Sequence, residues 1–162
     1  MKDALDLSNL VTSVPIIDKQ VKDYVMEKIW EGSRYGQKMT ATLQGDNPGI
    51  LFCLMSYFKD ETSLGRGVYI AISAYEMLKM KGDLPRVTFD TITKTLKEYL
   101  NSNKNEYVVS QLALMRKKDP VLADFVNELS ERFDNPLPAL EGGILTYRLL
   151  EKQAEINKLK IN

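Results

Sequence analysis

The chain carries no histidine and a single cysteine, so any chemistry it performs falls to carboxylates, lysines, arginines and tyrosines. Histidine is the usual general base at neutral pH, and its absence removes Ser-His and Cys-His nucleophilic pairs together with histidine-based metal centres. One cysteine cannot build a structural zinc or iron–sulfur centre within one chain. Cys53 lies between Phe52 and Leu54 in the most apolar stretch of the sequence. A thiol there behaves as a small hydrophobe with a raised pKa, and no neighbour would activate it.

Carboxylates are plentiful but form no informative pair. Glu128 and Glu131 lie one helical turn apart, as do Glu151 and Glu155, and basic residues flank each pair. That is the pattern of solvated helix faces held by weak ion pairs. A two-carboxylate catalytic or metal site needs the groups to converge in a sheltered cleft, which spacing alone does not display. No catalytic, cofactor-binding or metal-ligating residue is therefore assigned, and a histidine-free carboxylate enzyme ranks third among the functional expectations.

Phosphate-binding loops are missing as well. In Gly32-Ser33-Arg34-Tyr35-Gly36-Gln37-Lys38 the spacing is wrong for such a loop, and a helix precedes it where a strand should. Leu64-Gly65-Arg66-Gly67 has no βαβ unit around it, so its glycines are expected to let two helices approach closely.

Three features carry binding potential. Trp30, Arg34 and Tyr35 cluster at a helix end and are residue types that anchor protein interfaces, although Trp30 would equally close the edge of the core. In the last helix Leu145, Leu149, Ile156 and Leu159 fall at coiled-coil-like spacing, with Lys152 interrupting the seam. That stripe either caps the chain's own core or meets a second copy through Leu149, Ile156 and Leu159. The third is the helix–turn–helix-like segment 78–100. Its second helix would present Thr91, Lys94 and Lys97 to a DNA groove, with Arg86 meeting a phosphate.

The elements that must position these residues are helical. At 162 residues the chain suits one domain, and an ordinary balance of 44% hydrophobic and 27% charged residues is that of a globular chain. Periodicity and punctuation predict an all-α bundle of about six to seven helices. Pro15 opens a helix to Glu31, while 33–45 reads as either helix or extended chain. Asp46-Asn47-Pro48 supplies a capping side chain and an early proline for a helix through Phe58, apolar on nearly every side. The next, about 63–80, leaves equally little polar face, so 50–80 is expected to form a central apolar hairpin with neighbours all round. Phe89, Ile92, Leu96, Tyr99 and Leu100 are expected inward on the helix that follows. Asn103 with Glu106 suggests a capping box, and Asp119-Pro120 starts another helix with its stripe at Val121, Leu122, Phe125, Val126, Leu129 and Phe133. The last helix begins near Pro138 or, past Gly142-Gly143, at Ile144, and 144–160 is its association-competent part. Residues 1–14 are expected to be loosely ordered within the single domain 1–162.

Lys plus Arg equals Asp plus Glu at 22 each, which disfavours coating nucleic acid or anionic membrane as the main task. Met1 to Leu10 lacks the pattern of a signal peptide, and the longest apolar run, Ile50 to Met55, is too short to cross a bilayer. With one cysteine, a reducing, cytoplasmic setting is expected. The leading expectation is a non-catalytic protein-binding or regulatory module, acting as a homo-oligomer or as a subunit of a larger assembly. A DNA-binding regulator is the runner-up.

Overall fold

The computed structural model describes residues 10–161, and among them the secondary structure is helical throughout. The order is α1 (Lys19–Glu31), α2 (Ser33–Asp46), α3 (Pro48–Tyr57), α4 (Glu61–Lys81), α5 (Phe89–Leu100), α6 (Lys104–Lys118), α7 (Pro120–Ser130) and α8 (Leu137–Ile161). The count is eight, not six to seven, because 33–45 is a full helix and no strand interrupts it.

Local chemistry sets most of the boundaries. Asp18, Asp60, Asn103 and Asp119 each turn a side-chain oxygen onto the amide three residues ahead, at 2.8–3.1 Å, which satisfies an orphan donor of the first turn. Thr88 does the same for α5 at 3.3 Å. Gly32 separates α1 from α2 with φ 143°, a left-handed angle that a side chain would strain.

Two starts differ from expectation. α1 begins at Lys19 and not at Pro15, because the amide of Ile17 donates to the Asp119 carboxylate at 3.0 Å and holds 15–18 extended. Asn47 does not cap α3. Its amide group donates to the Pro85 carbonyl at 2.8 Å and its oxygen accepts from the Val87 amide at 2.8 Å, so it pins the 82–88 connection instead. Of the segment expected to be loose, 1–9 lies outside the described residues. Within 10–14, the Val11 carbonyl accepts from Asn157 of α8 at 2.9 Å.

The centre of the bundle is a different helix pair from the one expected. α4 packs most extensively against α8, and the other helices surround that pair. The reason lies in the glycines. A Cβ on Gly142 would sit 2.2 Å from the Gly67 carbonyl oxygen and 2.5 Å from its Cα, so only glycine lets the two backbones cross this closely. α8 therefore starts at Leu137 and runs through Gly142-Gly143. The close approach expected of the Gly65–Gly67 turn is real at Gly67, which is buried inside α4, whereas Gly65 faces open space.

Candidate functional site

The residues singled out from the sequence scatter over three separate surfaces. Trp30 is exposed, with the Arg132 guanidinium 4.6 Å from its ring centre. Arg34 is exposed beside it. Tyr35 is half-buried, its hydroxyl 3.5 Å from Glu76, and burial followed by the Glu76 charge pushes it up to about 12. The α8 stripe divides: Leu149 is fully buried, Ile156 is partly buried and Leu159 is exposed. Leu149 belongs to the chain's own core because α8 is the central helix, which leaves only the carboxyl end of that stripe accessible.

In the 78–100 segment Arg86, Lys94 and Lys97 are exposed, and Lys94 pairs with Asp90 at 3.1 Å. Thr91 is not on the groove-facing side. It is fully buried, with its hydroxyl 2.5 Å from the Gln153 side-chain oxygen, because α5 turns that face onto α8. The connection ahead of it is extended across 82–88 and pinned by Asn47, not a tight turn.

The surface that sequence reasoning placed wrongly is the most informative one. Phe89 (70% exposed) and Leu100 (59%) were expected inward on α5, yet they face outward with Leu96 half-buried between them. On α3, Phe52 (54%) and Met55 (64%) are uncovered in the same way. The rings of Phe52 and Phe89 lie 6.2 Å apart, so the two helices share one apolar face. α3 buries Ile50, Cys53 and Leu54 on one side and has no described neighbour over the other. The expectation of neighbours all round fails there: Phe52 and Met55 are apolar residues that the fold does not cover. Burial pushes the Cys53 thiol up to about 12, as its surroundings suggested.

Beneath this face lies a polar cluster that the sequence did not announce. Glu141, 5% exposed, accepts hydrogen bonds at Oε2 from the hydroxyls of both Tyr57 and Tyr99. Burial, and next the hydrogen bond to Glu141, raise both phenols above their ordinary range. The Lys104 ammonium lies 5.3 Å from the Tyr57 ring centre. Glu141 forms part of a cleft of about 310 Å³ with Tyr57, Lys59, Leu96, Leu100 and Lys104. The one available signal was an acid standing alone in Pro138-Ala139-Leu140-Glu141-Gly142-Gly143-Ile144, and leaving the start of α8 open between Pro138 and Ile144 gave it no helix face to belong to.

A second cluster neighbours it through the Tyr99–Tyr107 ring pair, whose centres are 4.8 Å apart. Glu98 accepts from Tyr107 at 2.9 Å, Lys152 at 2.7 Å and Arg148 at 3.3 Å. Burial alone would raise its pKa, but these donors overcome that and hold it at about 2. A carboxylate so fully committed is a clasp between α5, α6 and α8, not a proton-transfer group.

No group of three or more metal-ligating side chains occurs among the described residues, and no described helix is long and apolar enough to cross a membrane. Comparison with protein-family models, with curated proteins and with solved structures returns no match to this chain.

Proposed function

We propose that this protein is a non-catalytic helical binding module that pairs with a second copy of itself through the α3–α5 face. The observation that carries the reading is the shared, uncovered apolar surface of Phe52, Met55, Phe89 and Leu100. Single exposed hydrophobes are ordinary, but aromatic and methionine side chains grouped over two adjacent helices mark an association surface. A second copy is the favoured occupant for two reasons. The chain has a net charge of zero, so long-range repulsion does not hold copies apart. Exposed ions at the edge of the face, Asp90 with Lys94 and Lys97, include both signs, which lets one copy of the patch oppose another across a twofold axis.

Sedimentation equilibrium across the micromolar range tests this. The wild-type chain is expected at twice its monomer mass, and the Phe52→Glu/Phe89→Glu double variant at monomer mass with unchanged helicity. A Leu159→Glu variant is expected to remain dimeric, because the end of α8 is a separate surface. A wild-type monomer throughout, or a dimer that survives the double variant, would overturn the proposal.

A further inference from the structure

The Glu141 carboxylate is answered on one oxygen only. Oε2 takes two phenolic hydrogen bonds, while Oε1 takes none from any described residue. It is not sealed away either, since among the described residues the fully buried side-chain oxygen without a partner is Thr95 Oγ1. Glu141 lines the cleft, and Oε1 is the oxygen of its carboxylate that no described residue answers. Neutral hydroxyls satisfy lone pairs but do not cancel charge, and a carboxylate withdrawn from water in this way still wants a cation.

The mouth presents the opposite deficit. Lys59 and Lys104 both line the cleft, are both exposed, and neither forms an ion pair with a described residue. Asp60 also lines the cleft, capping α4 by accepting from the Ser63 amide at 2.8 Å, and the two lysines leave this end of the cleft with a net positive charge. The apolar lining of the cleft is Leu96, Leu100 and Phe58.

A negative floor, an apolar wall and a positive mouth complement a molecule with a cation at one end, an anion at the other and a hydrocarbon body. We infer that the cleft between α3, α5 and α8 binds a small aliphatic zwitterion of the α-amino-acid class. The ammonium donates to Glu141 Oε1, the carboxylate meets Lys104 and Lys59, and the side chain lies along Leu96 and Leu100. Tyr57 and Tyr99 act as positioning residues: by holding Oε2 they fix which way Oε1 points. The charged groups it uses line the cleft and are not on the Phe52–Phe89 surface, and Leu100 is shared by the two, so self-association is tested apart from ligand binding.

The test is amide-resolved NMR titration with three probes that share one hydrocarbon body: L-leucine, 3-methylbutylamine and 4-methylpentanoate. L-leucine is expected to shift residues of the α3 end, the 96–104 stretch and Glu141 in a saturable manner. Each one-armed analogue is expected to bind roughly tenfold more weakly or worse, since each lacks one charge-assisted hydrogen bond. Lys104→Gln, a change on the exposed rim, should weaken L-leucine without weakening the amine. Glu141→Gln should remove binding of both, and the Lys104 variant keeps the question answerable if Glu141→Gln does not fold. Repeating the titration in Phe52→Glu separates the cleft from dimer formation, with binding expected to persist. Absence of saturable shifts with L-leucine would overturn the inference. Amine binding as tight as L-leucine, or shifts confined to another surface, would do the same.

Discussion

The α4–α8 crossing and the α3–α5 face both carry apolar residues along two adjacent helices, and the bundle treats them in opposite ways. At the crossing, glycines at 67 and 142 remove side chains so that backbones meet, and the facing sides of both helices are buried in the core. On the α3–α5 face, large side chains at 52, 55, 89 and 100 stand outward with nothing described above them. Hydrophobicity along a helix therefore shows that a face must be covered without saying by what. The crossing is covered from within the chain. We read the other face as covered by a second copy.

The sharpest way to break that contrast uses two neighbours on α3. Leu54→Asp should unfold the domain, at a cost of about 3–5 kcal/mol, because Leu54 is fully buried and the new charge would have no partner. Met55→Asp, one residue on, should leave the melting temperature of the monomer nearly unchanged while dissociating the dimer. Equal melting of the two variants would show that α3 is not the boundary between core and surface.

The glycines come next. Gly142→Ala should destabilise by roughly 1–3 kcal/mol, since its Cβ would overlap backbone atoms of α4 that cannot rotate away. Gly65→Ala meets open space inside a helix and should be neutral or stabilising by up to ~1 kcal/mol. Chemical denaturation of both measures the difference, and a tolerant Gly142 would mean that the crossing is looser than described.

A smaller effect should appear in the pH dependence. Glu98 is held at about 2 against an ordinary 4.5, so the fold favours its ionised form. Its contribution is complete above about 4.5 and is lost as the pH falls towards about 2. Glu98→Gln should be less stable than wild type at neutral pH by about 1 kcal/mol, given the partial exposure of its ion pairs, and the gap should close in acid. A gap that does not change with pH would assign the loss to packing. The smallest effect is expected from Trp30→Ala, which removes an exposed ring stacked on Arg132 and should change stability by less than ~0.5 kcal/mol with the dimer intact. Dissociation in that variant would move the interface from α3–α5 to the α1–α2 corner.

Sequence legibility followed the range of the interactions involved. Capping at Asn103 and Asp119, the proline starts of α3 and α7, the inward Leu122, Phe125, Val126 and Leu129 of α7 and the burial of Cys53 were all readable, because each depends on residues within a turn or two. Asn47 shows the limit: its position reads as a cap, but a loop 38 residues away claims its side chain. Thr91 looked available because its type suits binding, and Leu149 fitted either the chain's own core or a second copy; both are buried because α5 and α8 lie inside the bundle's packing. The candidate cleft was not readable at all, since Tyr57, Tyr99, Lys104 and Glu141 come from four helices with no shared spacing.

By itself, then, the sequence determined that the fold is helical, where most helices begin, and that histidine chemistry is excluded. These follow from local hydrogen bonding, apolar period and composition. Only the tertiary structure decided that α8 is central and that part of α3 is left bare. It alone brought a lone glutamate together with two tyrosines and two exposed lysines. Those outcomes depend on which helix faces meet, and facing is a property of contacts between residues far apart in the chain.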